Sequence, residues 1–163
     1  MLTDDEVAAE ARLLDEAEAS ATQMRQTTTV HPEMTIDDAY RVQAAWQVAK
    51  MSRGETLIGH KIGLTSRAMQ AAMNISTPDS GFLTSEMVFS PNTTLTASDF
   101  CDPKLEIELA FVLAADLTGS NLTVDDVLDA TEYVSPRHRT HRRPLVPERP
   151  RNRQDANRRR HNF

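Results

Sequence analysis

Cysteine is almost missing from this chain: Cys101 is the single one in 163 residues. That excludes a disulfide framework and a cysteine-built metal cluster, and it fits a reducing, cytoplasmic compartment. With Phe100 and Asp102 beside it and no catalytic partner near in sequence, Cys101 reads as a small buried residue. Long apolar runs are missing too. Nothing approaches the roughly 18–20 residues a membrane helix needs, and mean hydropathy is −0.48, so no membrane association is expected. The opening Met1-Leu2-Thr3-Asp4-Asp5-Glu6 is acidic, without the basic-then-apolar order of a secretory leader. Internal repeats are absent, and the length suits one ordinary domain with a real core.

Basic residues are scarce at first and then abundant. Residues 1–136 hold 8 Lys and Arg against 22 Asp and Glu, a net −14, while residues 137–163 hold 10 Arg against Glu148 and Asp155, a net +8. The only apolar side chains after Pro136 are Leu145, Val146, Ala156 and Phe163, and Pro144, Pro147 and Pro150 interrupt any helix. Such a segment cannot bury enough surface to offset its ordering entropy. We therefore expect two regions, a folded 1–136 and a disordered Arg/Pro-rich tail 137–163.

Within 1–136 the pattern is regular. Thr3-x-x-Glu6 is a capping box opening an amphipathic helix carried by Val7, Ala11, Leu14, Ala17, Ala21 and Met24, ending near Arg25. Residues 27–32 are a connector closed by Pro32. Thr35 caps a second helix with Asp37 and Asp38 in its first turn; Ala39, Gln43, Trp46 and Lys50 mark one side, and Gly54 ends it. A strand is expected over 56–64, and then a short helix from Thr65 or Ser66 to Met73. Residues 74–81 are rich in turn formers, and 87–89 and 93–95 read as short strands. A longer strand follows at about 105–114, then a turn at Gly119-Ser120-Asn121. Thr123-x-x-Asp126 caps a helix through Ala130, and 131–134 is extended up to Pro136.

The run Leu105-Glu106-Ile107-Glu108-Leu109-Ala110-Phe111 alternates with the strand period. Leu105, Ile107, Leu109 and Phe111 share one face, and Glu106 and Glu108 share the other. Same-face neighbours on a strand lie roughly 6.5–7 Å apart, and two bare carboxylates at ~6 Å repel by roughly 2–3 kcal/mol at an effective dielectric near 20. Two readings follow: an edge strand with a solvated polar face, or a divalent cation held by oxygen ligands.

Three stretches in order carry a resemblance. They are Gly59-His60-Lys61-Ile62-Gly63-Leu64-Thr65-Ser66-Arg67-Ala68-Met69-Gln70, Pro78-Asp79-Ser80-Gly81-Phe82-Leu83, and Pro103-Lys104-Leu105-Glu106-Ile107-Glu108-Leu109-Ala110-Phe111-Val112-Leu113. Together with Asp37-Asp38-Ala39-Tyr40 and Asp129-Ala130-Thr131-Glu132-Tyr133-Val134, they resemble the 2-oxohept-4-ene-1,7-dioate and 2-keto-4-pentenoate hydratase family of the fumarylacetoacetate-hydrolase-like superfamily. The resemblance covers about residues 1–136, the first half of a family member. It implies an α/β (α+β) fold, half of a mixed, sheet-rich domain preceded by two helices, and a hydro-lyase of aromatic-compound catabolism. It makes Glu106 and Glu108 two of three carboxylates on Mg²⁺ or Mn²⁺. It places Lys61, Leu64 and Ser66 at a small 2-oxo acid substrate and makes Lys61 and Asp79 the catalytic residues. Lys61 would steady a carboxylate or enolate oxygen, and Asp79 would move protons. His60 lies opposite Lys61 on its strand and reads as a packed histidine. Intact relatives are expected to be homo-oligomers.

The departure comes after Pro136. The family pattern continues as a strand carrying the third acidic ligand at the place of Arg139, so that ligand is missing. Arg137 to Pro144 can be encoded CGG CAT CGA ACT CAT CGA CGC CCG. Read one nucleotide later, this string gives Gly-Ile-Glu-Leu-Ile-Asp-Ala-Arg, with glutamate where the resemblance asks for one. We therefore expect an out-of-frame tail on a truncated, inactive hydratase-like domain that binds metal weakly. Two alternatives stand beside this: a 4-oxalocrotonate decarboxylase-type activity, and a non-enzymatic fragment whose arginines bind nucleic acid. The second lacks Arg-Gly repeats, a reader module and any aromatic before Phe163.

Overall fold

The computed structural model describes residues 1–141 and 145–146, with side chains described through residue 137. Helix α1 (Asp4–Ala19) starts at the Thr3/Glu6 capping box, with Glu6 Oε2 accepting from the Thr3 N–H at 2.8 Å. It stops six residues before the expected end near Arg25. The Ser20 hydroxyl donates to the Glu16 carbonyl at 2.8 Å, and Ala21 takes a left-handed φ of 50°. The chain then forms β1 (Met24–Arg25), where the end of the helix was expected, and a single-turn α2 (Thr27–Val30), where a connector was expected.

Helix α3 (Ile36–Ser52) starts at a second reciprocal cap, Thr35 with Asp38, and Gly54 follows at φ 99°. It packs on α1 around Leu2, Val7, Ala11 and Val42, with Leu14, Met34, Ala45 and Trp46 at the margin. Asp38 is wholly buried and accepts from the Leu2 N–H (3.0 Å), the Thr35 N–H (3.2 Å), the Thr35 hydroxyl (2.9 Å) and Arg41 (2.9 Å). Burial pushes this carboxyl up, but the bonds from Thr35, Leu2 and Arg41 outweigh it and hold it at about 2.

Strand β2 (Leu57–Gly63) pairs antiparallel with β3 (Asp79–Thr84). The sequence reading missed β3, because Pro78, Ser80 and Gly81 look like turn formers. The hairpin carries α4 (Arg67–Met73) at its tip, capped by Ser66 and ended by Asn74 at φ 54°. Lys50 joins this ribbon to the helices: only 5% exposed, it pairs with Glu18 of α1 and, at 3.5 Å, with Glu55. Glu55 in turn accepts from Thr84 of β3 at 2.5 Å. Trp46 meets Phe82 edge to face, with ring centres 5.6 Å apart.

The strands expected at 87–89 and 93–95 do not form. Residues 85–87 and 97–99 are single 3₁₀ turns in a long connection. Cys101 is buried as expected, and its thiol donates to the Ala17 carbonyl at 3.2 Å. Strand β4 (Lys104–Leu113) pairs antiparallel with β5 (Thr131–His141) after α5 (Val124–Ala130), which is capped by Thr123 and Asp126. The boundary expected at Pro136 thus falls inside β5, which pairs for five more residues. Strand β6 (Leu145–Val146) pairs parallel with β1. Among the described residues the strands form three separate two-stranded ribbons. The disorder expected at 142–144 and 147–163 lies outside the described residues.

Candidate functional site

The β2–β3 register sets Lys61 across from Gly81 and Gly63 across from Asp79. Directly opposed residues share a face, so the lysine and the aspartate belong to one face, two positions apart. Gly63 makes this possible. A Cβ there would fall on Asp79 Oδ1 and lie 3.4 Å from Lys61 Nζ. The carboxylate and the ammonium therefore reach into the same small volume above a residue with no side chain.

Two residues that the sequence reading left without a role hold this corner. The Ser80 N–H donates to the Tyr40 hydroxyl at 3.2 Å, and Gln43 Nε2 donates to the Ser80 carbonyl at 3.0 Å. Both backbone groups of the residue after Asp79 are thus fixed from α3. Tyr40 and Gln43 are three apart on a helix, a spacing that puts them on one face, and that was the signal available in the sequence.

Leu64 takes a left-handed φ of 52°, and its carbonyl accepts from Gln70 Nε2 at 2.7 Å. Ser66 Oγ accepts the Met69 N–H at 3.1 Å as the cap of α4. Leu64 and Ser66 therefore shape the turn that follows Lys61 and Gly63. His60 is exposed, not packed, and Lys61 is half-buried.

Glu106 and Glu108 lie on β4, Glu106 exposed and Glu108 half-buried. The ladder sets Glu108 across from Arg137 and Glu106 across from Arg139. Among the described residues no three His, Cys, Asp or Glu side chains gather closely enough to hold a metal ion. The two candidate regions are thus a Lys61/Asp79 corner and an acid-bearing ribbon whose facing positions are basic. No helix among the described residues is long and apolar enough to cross a membrane.

No family model matches the chain. Individual relatives do. It is 49% identical over 126 residues to a 2-oxo-hept-4-ene-1,7-dioate hydratase of Escherichia coli, covering 77% of this chain and 47% of the relative. It is 36% identical over 135 residues to a 4-oxalocrotonate decarboxylase of Pseudomonas putida, covering 83% and 51%. The structure superposes on 4-oxalocrotonate decarboxylase from Pseudomonas putida G7, solved with calcium and acetate, at a TM-score of 0.85 and 34% identity, covering 89% of this chain and 56% of that one. The same enzyme solved with magnesium and adipate gives 0.84. The chain spans about half the length of the curated relatives it matches.

Proposed function

We propose, from the premise that this chain is a member of the 2-oxohept-4-ene-1,7-dioate and 2-keto-4-pentenoate hydratase family over about half of that family's length, that residues 1–136 carry the proton-handling part of a site for a small unsaturated 2-oxo acid. The observation that carries this is the meeting of Asp79 and Lys61 above Gly63. The ammonium of Lys61 would hold the carboxylate or the enolate oxygen of the substrate. Asp79 would then move a proton between oxygen and carbon, a role that needs a positioned group within hydrogen-bond reach. That shift brings the double bond into conjugation with the ketone, and water adding at the alkene carbon far from the ketone then gives a 4-hydroxy-2-oxo acid. Tyr40 and Gln43 position Asp79, while Leu64 and Ser66 set the turn against which the substrate lies.

A divalent cation of the Mg²⁺ or Mn²⁺ class belongs to this reading, since the neighbouring decarboxylase was solved with calcium and with magnesium. The donor set of this chain does not fit one. Glu106 and Glu108 have no third acid gathered with them among the described residues, and arginines occupy the facing register positions. The 163-residue chain alone is therefore expected to turn over nothing.

The test is a chimera in which residues 1–136 replace the matching segment of the Escherichia coli hydratase. We expect it to hydrate 2-oxo-4-enoic acids, with Lys61→Met and Asp79→Asn each abolishing turnover. A chimera that kept full activity with either substitution would overturn the assignment. The decarboxylase relatives favour a second reading, in which the same corner serves decarboxylation. Release of CO₂ from 4-oxalocrotonate, without hydration, would select it. A cytoplasmic homo-oligomer acting on a small molecule, with no nucleic-acid partner, completes the proposal.

A further inference from the structure

We infer that β5 beyond Pro136 is written in a coding frame displaced by one nucleotide, and that the displacement sets arginine where the acid-bearing face of the ribbon would otherwise be open to a divalent cation. The second half of this statement rests on the hydratase reading; the first does not.

The ladder supplies the argument. On the apolar face, Phe111 stands across from Val134 and Leu109 from Pro136. Beyond that point Ile107 faces His138 and Leu105 faces Thr140, so the apolar row of β4 continues while its counterpart on β5 stops. On the other face, positions 108 and 106 pair in register with Arg137 and Arg139. A paired strand whose alternation ends abruptly at one residue, opposite a partner whose alternation does not, has lost its pattern and kept its backbone.

The reading one nucleotide later repairs both faces in phase. Gly-Ile-Glu-Leu-Ile would place glycine across from Glu108, isoleucine across from Ile107, glutamate across from Glu106 and leucine across from Leu105. A one-residue slip would have sent the apolar residues to the acidic face; this string does not slip. The composition changes at the same point, with 10 arginines in the 27 residues after Pro136 and 8 Lys and Arg in the 136 before.

The present arginines have an electrostatic consequence. Glu106 and Glu108 each already have an interaction partner, and cationic residues at the two facing positions lower the attraction this face offers a metal ion. A glutamate at position 139 would give this face three carboxylates.

Two measurements test this. The first is the coding DNA through codon 137. We expect codons that read Gly-Ile-Glu-Leu-Ile-Asp-Ala-Arg one nucleotide on; codons that give any other string there overturn the inference, whether or not any variant folds. The second compares the full chain with a variant carrying Arg137→Gly, His138→Ile, Arg139→Glu, Thr140→Leu and His141→Ile, using Mn²⁺ calorimetry and thermal melting. The variant should melt higher and bind Mn²⁺ at least roughly tenfold tighter than the original, the scale on which groups around a metal act. If the original chain binds Mn²⁺ at micromolar concentration and loses it with Glu106→Gln, the exclusion of the cation is wrong while the hydratase reading survives. If the DNA carries the expected string and the variant gains stability but no Mn²⁺ affinity, the displaced frame stands and the hydratase reading of Glu106 and Glu108 fails.

Discussion

Val42 in the helical layer and Ile107 in the β4–β5 ribbon both sit where a regular apolar pattern puts them, yet Val42 is 3% exposed and Ile107 is 77% exposed. Around Val42 the chain supplies Leu2, Val7 and Ala11 across the α1–α3 contact, with Leu14, Met34, Ala45 and Trp46 at its margin. Around Ile107 the described residues supply one partner strand, and Leu105 and Leu109 are as bare as Ile107. Period and propensity are enough to make a strand. Burying its apolar face needs a second layer, and a contiguous bare stripe of this kind marks a surface made to be covered.

The comparison can be broken most sharply at Lys50. Lys50→Ala would take its buried lysine partner from Glu18 and one of two basic neighbours from Glu55, which keeps Arg53 at 3.6 Å. Removing one partner of a buried pair costs about 3–5 kcal/mol, a large share of the ~5–15 kcal/mol of a whole domain. Denaturant unfolding should therefore show the helical layer lost or nearly so, whereas neutralising Lys104, exposed on the ribbon, should barely move the midpoint.

At the candidate site, Gly63→Ala puts a methyl group onto Asp79 Oδ1. In the chimera this should cost on the order of 10²-fold in kcat, as a misplaced catalytic group does. Gly63 does not take the left-handed conformation that would penalise alanine, so the melting temperature should change little. Equal losses of activity and stability would mean that Gly63 is structural.

Acid sharpens the contrast next. Asp38 sits at about 2 in the folded protein because its bonds to Thr35, Leu2 and Arg41 outweigh the effect of burial. Its ordinary value is ~3.9. A depressed folded value contributes stability that is complete above ~3.9 and is lost as pH falls through about 2. Asp15 shifts the same way, as Arg53 and Trp46 outweigh its burial. Melting temperature should therefore fall between pH 4 and 2, and Asp38→Asn should flatten that fall.

The sequence disclosed where α1, α3 and α5 begin because those starts are chemical. Thr3/Glu6, Thr35/Asp38 and Thr123/Asp126 are caps that work with local residues alone. It disclosed β4 through alternation. It hid β3, because Asp79 to Gly81 are held extended by pairing with β2 and by Tyr40 and Gln43, neither of which is local. The strands expected at 87–89 and 93–95 failed for the converse reason: β-favouring residues found no partner strand. At the site, the separate motifs named Lys61 and Asp79, but that they meet over Gly63 follows from register, which a sequence does not print. The same holds for Arg137 facing Glu108.

The smallest expected effect is the most direct measure of what covers the ribbon. In the 163-residue chain Ile107→Thr removes a side chain that is already in solvent, so its cost should lie within about 0.5 kcal/mol. Val42→Thr puts a hydroxyl into the core formed by Leu2, Val7 and Ala11, where a buried polar group without a partner costs roughly 1–3 kcal/mol. Grafted into the chimera, where the rest of the family fold is present, Ile107→Thr should become as costly as Val42→Thr. The two substitutions would then differ in the short chain and agree in the long one. If Ile107→Thr stays neutral in the chimera, the apolar face of β4 is not a core face, and the bare stripe has some other purpose.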